Sequence, residues 1–143
     1  MIKINFRHGI FEHSNSNANI AKTLSESGYE VLSFDMRGHG KSEGKKGYLE
    51  SHYIVMDDIK KFINLTDKIY NDKTQNKFIL GYSLGGLYAN LISLELSNYF
   101  NGMVMISPPM HIETKKHELL LKIAYVLRNF LPSLPLFKLK CKI

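Results

Sequence analysis

The strongest chemical signal in the sequence is a serine set between glycines, in the run Gly81-Tyr82-Ser83-Leu84-Gly85-Gly86. A serine becomes a nucleophile when the backbone exposes its hydroxyl and a base takes its proton. A sharp turn between a strand and a helix exposes the hydroxyl, provided that the residues two before and two after are small. Gly81 and Gly85 meet this demand. The pattern predicts a nucleophile elbow with Ser83 as the nucleophile, and an incidental serine in a glycine-rich turn is the alternative.

A second signal, His8-Gly9-Ile10, directly follows the first apolar segment of the chain. A reacting ester carbonyl develops negative charge, and two backbone N–H groups normally stabilise it. One comes from the residue after the nucleophile, here Leu84, at the positive end of the following helix. The other comes from the loop after a neighbouring strand, and Ile10 is placed for that role. A simple His-Gly turn is the alternative.

The elements that would position these residues follow from apolar periodicity. We predict strands at 2–6, 29–34, 77–81 and 103–106, and helices at 15–27, from about 51, 84–96 and 117–131. Strands and helices that alternate in this way form a parallel sheet with helices on both faces. The fold class is therefore α/β.

Two local details of the helices are also predicted. Ser14 or Asn15 is expected to cap the first helix, and Gly28 to end it. The second helix is expected to bury one face, formed by Val55, Ile59, Phe62, Ile63 and Ile69.

Four blocks resemble monoacylglycerol lipases and lysophospholipases, in the family's order and at similar spacing. Residues 8–14 are similar to HGxxEHS, residues 34–44 to D-x-x-GHGxSxG, residues 81–86 to GHSMGG with tyrosine in place of histidine, and residues 102–108 to GMVLISP. The same superfamily segment is often described as serine aminopeptidase. The resemblance implies a partial α/β-hydrolase fold whose sheet contains the family's strands 3 to 6, in the order 4-3-5-6. Ile10 and Ser83 would then meet at the carboxyl ends of adjacent strands.

The resemblance also implies a domain division, with a partial hydrolase core at 1–113 and the start of a helical cap at 114–143. In this family the catalytic acid and histidine follow the cap. We therefore expect both to be absent from this chain, the chain to be truncated at both ends, and its turnover to be little or none. A local triad of Glu113 with His111 or His117 is the alternative.

The predicted helix at 117–131 has two open interpretations. In the family, cap helices line the entrance for the acyl chain and can contact a membrane, whereas an ordinary helix of this pattern packs on the core.

Composition and charge exclude other classes of function. Hydrophobic residues make up 44% and charged residues 22% of the 143 residues, with a net charge of +6, as in ordinary globular proteins. No apolar run is long enough to cross a membrane, no signal-peptide core is present, and Cys141 has no cysteine partner. We expect a cytoplasmic protein, with peripheral membrane contact left open. No pattern for nucleic acid, metal or dinucleotide binding occurs.

The function implied by the resemblance is hydrolysis of monoacylglycerol or lysophospholipid through an acyl-enzyme on Ser83, without a cofactor. A peptidase or thioesterase of the same fold is one alternative. A non-catalytic fragment or pseudoenzyme that retains the elbow is the other.

Overall fold

A computed structural model describes residues 2–9, 12–70 and 76–109. Its strands are β1 (Ile2–Arg7), β2 (Tyr29–Ser33), β3 (Lys77–Tyr82) and β4 (Gly102–Ile106). Its helices are α1 (Ala18–Glu26), α2 (His52–Tyr70) and α3 (Leu84–Glu95), and a 3-10 turn at Ser14–Asn17 leads into α1. The predicted alternation of strands and helices is confirmed in these ranges. The helix predicted at 117–131 and the domain boundary at 113 lie outside the described residues.

The four strands form one parallel sheet in the order β2-β1-β3-β4. In β1 and β3, Arg7 is opposite Gly81, and in β3 and β4, Tyr82 is opposite Ile106. This is the strand order that the resemblance implies. Because parallel strands end at the same edge, the residues that follow β1, β3 and β4 come together at the carboxyl edge of the sheet.

Successive side chains of a strand point to opposite faces of the sheet, and helices pack on both of these faces. Ile79 is buried with α2 and α3 in a core that includes Val55, Ile59, Ala89 and Ile92. The next residue, Leu80, packs on the other face with Ile4 and with Leu24 of α1. The predicted three-layer arrangement is confirmed in the described residues.

The predicted buried face of α2 is wrong at Ile69, which is 65% exposed. At 100° per residue, Ile69 lies about 90° from the centre of the buried stripe. Thr66 occupies the buried position instead, and its hydroxyl is satisfied there by donating to the Ile63 carbonyl at 2.8 Å.

The predicted cap of the first helix is also wrong. Ser14 and Asn15 lie inside the 3-10 turn, and α1 begins only at Ala18. Ser14 donates its amide at 2.6 Å to the carboxylate of Asp35, which is 21 residues further along the chain. A cap prediction weighs only neighbours in sequence, so it misses this partner. Gly28 does follow α1, with φ 86°.

Candidate active site

Ser83 lies at the sharp turn between β3 and α3. Its backbone has φ 51° and ψ −122°, a region that residues with a Cβ avoid. The Ser83 N–H donates to the Ile106 carbonyl at 2.8 Å, and the Ser83 carbonyl accepts the Gly86 N–H at 2.9 Å. The strained turn is therefore held by the sheet on one side and by the helix on the other.

Two glycines face each other where β3 and α3 cross. A Cβ on Gly81 would collide with the backbone carbonyl of Gly85. Gly86 is close to the end of β4, where a Cβ would lie 3.2 Å from the Cβ of Pro108. The strand and the helix can approach this closely only because these positions carry no side chain.

Two backbone amides are candidate donors for stabilising an oxyanion. Leu84 is the first residue of α3, so its N–H has no acceptor within the helix and lies at the positive end of the helix dipole. Ile10, the predicted second donor, lies outside the described residues. The residue before it is described, and a Cβ on Gly9 would lie 3.2 Å from the Cβ of Ser83. The loop after β1 therefore packs directly against the serine.

Gly9 is hydrogen-bonded on both sides. Its N–H donates to Oε2 of Glu12 at 2.7 Å. Its carbonyl lies 2.8 Å from Nδ1 of His8. Sequence reasoning missed Glu12 as a contact of this loop, because the glycine and the glutamate form no recognised capping pattern.

His8 also joins the loop after β1 to the loop between β2 and α2. The Met36 N–H donates to Nε2 of His8 at 2.9 Å, and both residues are 0% exposed. Burial lowers the pKa of His8 below its ordinary value, since a charged ring would lose its hydration.

Asp35 joins the same two loops a second time. Its carboxylate accepts the N–H groups of Ser14 at 2.6 Å and Lys41 at 2.8 Å. Burial alone would raise the pKa of Asp35, but these two amides stabilise the anion and lower the pKa to about 2. Asp35 was not predicted to contact the site loops. An aspartate just before a glycine-rich loop is the signal that would have suggested it.

The four described histidines are engaged or exposed. Both ring nitrogens of His8 have backbone partners. His39 is 3% exposed, and its Nδ1 lies 2.9 Å from a backbone carbonyl. His13 and His52 are exposed. Within 2–9, 12–70 and 76–109, no imidazole hydrogen-bonds the Ser83 hydroxyl.

Two adjacent aspartates of α2 form ion pairs with basic side chains. Asp57 pairs with Lys61 at 2.7 Å, and Asp58 pairs with Arg37 at 2.9 Å. The alternative triad of His111, His117 and Glu113 lies outside the described residues. In the part of the chain that the structure describes, no group of three or more His, Cys, Asp or Glu side chains is arranged to hold a metal ion.

Comparison with known proteins identifies the family. A family model described as serine aminopeptidase, S33, matches residues 3–142. The chain belongs to this family of α/β-hydrolases. The monoglyceride lipase of Mus musculus is 32% identical to this S33 hydrolase over 130 residues, which are 90% of this chain and 42% of that protein.

Solved structures agree with the S33 assignment. The monoacylglycerol lipase of Paleococcus ferrophilus is 28% identical with a TM-score of 0.72, over 92% of this chain and 48% of that one. A soluble variant of monoglyceride lipase from Saccharomyces cerevisiae, in complex with a substrate analogue, is 25% identical with a TM-score of 0.76, over 92% and 44%. The S33 chain thus spans less than half the length of these relatives. The resemblance to monoacylglycerol lipases and the partial α/β-hydrolase fold are confirmed.

Proposed function

We propose that Ser83 is the nucleophile of a lipid ester hydrolase whose substrates are monoacylglycerols or lysophospholipids. The observation that carries the proposal is the strained backbone of Ser83, with φ 51°, at the carboxyl edge of a parallel sheet. Such strain persists where the surrounding structure enforces it, and it concentrates at functional sites. The relatives named monoglyceride lipase support the substrate class.

In the proposed reaction, Ser83 Oγ attacks the acyl carbonyl and gives its proton to a base. The amides of Leu84 and Ile10 stabilise the oxyanion. The ester C–O bond then breaks, and the alcohol leaves with the proton. Water attacks the acyl-serine in the same way, which releases the fatty acid and restores Ser83.

The base and the acid of this reaction are not supplied by the described residues. Loss of a triad member lowers the rate by about 10⁴-fold to 10⁶-fold. Without such a base and acid, Ser83 is expected to react slowly with strong electrophiles and to turn over little substrate. The full catalytic activity is part of the proposal, because the relatives are more than twice as long as the matched segment.

A fluorophosphonate probe tests the proposal on the full chain. Its phosphorus bonds to the serine Oγ as fluoride leaves, and mass spectrometry of the peptides locates the stable adduct. We expect an adduct on Ser83, none in Ser83→Ala, and an unchanged rate in Ser25→Ala, a matched serine on the exposed surface of α1. A folded chain that forms no adduct would support the alternative of a non-catalytic module.

Protection from the probe distinguishes the substrate classes. We expect monoacylglycerol or lysophospholipid to slow labelling, and aminoacyl esters and acyl thioesters to have little effect. Protection by an aminoacyl compound alone would assign the chain to the peptidase alternative. Protection by a thioester alone would assign it to the thioesterase alternative.

Membrane contact stays a prediction. The helix at 117–131 on which it depends lies outside the described residues. Among the helices that the structure describes, none has the length and apolar character needed to span a bilayer. Co-sedimentation with vesicles of anionic and neutral lipids tests the contact directly.

A further inference from the structure

Two strained serines lie at the ends of adjacent strands. Tyr82 of β3 is the partner of Ile106 of β4, so the residues that follow them, Ser83 and Ser107, leave the sheet side by side. Ser83 has φ 51° and Ser107 has φ 48°. The strain at Ser83 belongs to the sharp turn between β3 and α3, but Ser107 is not part of that turn.

The end of β4 contacts the elbow on both sides of the nucleophile. Before α3, the Ser83 N–H donates to the Ile106 carbonyl at 2.8 Å. In the first turn of α3, Gly86 is buried beside Pro108, and a Cβ on this glycine would lie 3.2 Å from the Cβ of Pro108. A contact on each side limits how far the elbow can shift along the edge of the sheet.

The positive φ of Ser107 is unusual for a second reason, because the next residue is a proline. A proline ring crowds the residue before it and favours an extended backbone with negative φ there. A serine with positive φ in this position persists only where the contacts around it enforce the conformation. On its two sides, these contacts are the ones that Ile106 and Pro108 make with the elbow.

The φ angle of Ser107 sets the geometry between these two contacts. Rotation about this bond turns the Ile106 peptide relative to the chain that follows. If Ser107 took a negative φ while Pro108 stayed beside Gly86, the Ile106 carbonyl would turn away from the Ser83 N–H. If the carbonyl kept its direction, Pro108 would leave Gly86. Both contacts therefore form together only with φ near 48°.

We propose that the turn formed by Ser107 and Pro108 is a positioning element for the nucleophile, because its strained backbone holds the Ile106 carbonyl on the Ser83 amide while Pro108 stays beside α3. This inference rests on the proposed function of Ser83. The backbone of Ser107 acts here and its hydroxyl does not, so the turn needs a residue that tolerates positive φ. The nucleophile is thus held by β4 as well as by its own strand and helix.

Hydrogen exchange at the Ser83 amide of the ¹⁵N-labelled full chain tests the contact without any need for activity. Ser107→Val places a β-branched residue where φ is positive, which such residues avoid most strongly. We expect the Ser83 amide to exchange at least about tenfold faster in Ser107→Val than in the wild type, and more than the amides of α2 accelerate. Ser107→Gly adopts the turn freely and should protect Ser83 as the wild type does. An acceleration no larger than that of α2 would overturn the proposal.

The rate of fluorophosphonate labelling tests the consequence for Ser83. Misplacing a reacting group by about 1 Å can cost about 10²-fold in rate, so we expect folded Ser107→Val to label at least about tenfold more slowly than the wild type. Ser107→Gly should restore the turn and label at about the wild-type rate. A Ser107→Val chain that labels as fast as the wild type, or a Ser107→Gly chain as slow as Ser107→Val, would contradict the positioning role.

A matched pair of prolines decides if Ser107→Val does not fold. Pro108→Gly removes the side chain beside Gly86 and leaves Ser107 in place, so it should slow labelling and speed exchange at the Ser83 amide. Pro109→Gly changes the next proline, which is exposed, and should affect neither. Equal behaviour of the two variants would rule the turn out. A wild-type chain that does not label refutes the proposed function instead, and exchange at the Ser83 amide still decides whether the turn holds the elbow.

Discussion

At the carboxyl end of the sheet, buried or partly buried polar side chains bind backbone amides, whereas partly buried ones at the amino end bind one another. His8 and Asp35 accept N–H groups from loops that are distant in sequence. At the amino end, the Lys77 ammonium lies 2.7 Å from the Asp67 carboxylate, and the Tyr99 hydroxyl donates to the same carboxylate at 2.8 Å. The Lys77 ammonium also lies 4.2 Å from the centre of the Tyr99 ring.

The difference indicates what each end contributes. A side chain that binds an amide fixes the direction of a loop backbone, whereas a cluster of side chains joins elements without shaping their backbone. Among the described residues, those other than glycine with positive φ are Ser83 and Ser107, both at the carboxyl end. Strain and oriented amides therefore occur together where chemistry is proposed. The amino-end cluster serves stability.

Gly81→Ala is expected to have the largest effect on the carboxyl end of the sheet. The added Cβ would collide with the Gly85 carbonyl, which cannot move without unwinding the start of α3. We expect a loss of at least about 3 kcal/mol in the free energy of unfolding, measured with urea, and no labelling of Ser83. Gly28→Ala is the control: its Cβ would meet nothing, but its φ of 86° should cost about 1 kcal/mol without affecting labelling. Normal stability and labelling in Gly81→Ala would contradict the elbow geometry.

The pH dependence of the stability of Asp35→Asn tests the hydrogen bonds that Asp35 accepts from backbone amides. The pKa of Asp35 is about 2 in the folded chain against an ordinary 3.8. The unfolded chain therefore binds the proton first, so the stabilisation is complete above about pH 4 and is lost as the pH falls toward 2. We expect Asp35→Asn to be less stable by about 1–2 kcal/mol at neutral pH, and the difference to shrink in acid. A difference that does not change with pH would contradict the assignment.

Lys77→Met tests the cluster at the amino end of the sheet. It leaves Asp67 without its ammonium partner, and we expect a loss of about 1–2 kcal/mol in the free energy of unfolding. The rate at which the folded chain labels at Ser83 should not change. Lys61→Met removes an exposed pair with Asp57 and should leave the free energy of unfolding almost unchanged, because solvent screens such a pair. A slower labelling rate in folded Lys77→Met would show that the two ends are coupled.

Ser107→Gly should have the smallest effect. Ser107 has φ 48°, and glycine adopts this conformation without strain, so we expect a gain of up to about 1 kcal/mol. Labelling should be unchanged, because the Ile106 carbonyl that holds Ser83 stays in place. A loss of stability on thermal unfolding would mean that the Ser107 side chain makes a contribution larger than its strain.

Local periodicity predicted the strands and helices, and the family resemblance predicted the order of the sheet. The contacts that hold the site loops were not predictable in the same way. The bonds from Met36 to His8 and from Ser14 to Asp35 join residues 28 and 21 positions apart, and no local pattern encodes such partners. The positive φ of Ser107 has no signal in the sequence either, since serine does not favour that region.

The most direct test of the account is the position of the fluorophosphonate adduct on the folded full chain. Ser107 is an internal comparison, because it follows β4 as Ser83 follows β3, is exposed, and has a similar φ. Of these two serines, Ser83 alone is followed directly by a helix, whose positive end lies at its N-terminus. The account predicts one adduct, on Ser83. An adduct on Ser107, labelling spread over exposed serines, or no labelling would contradict it.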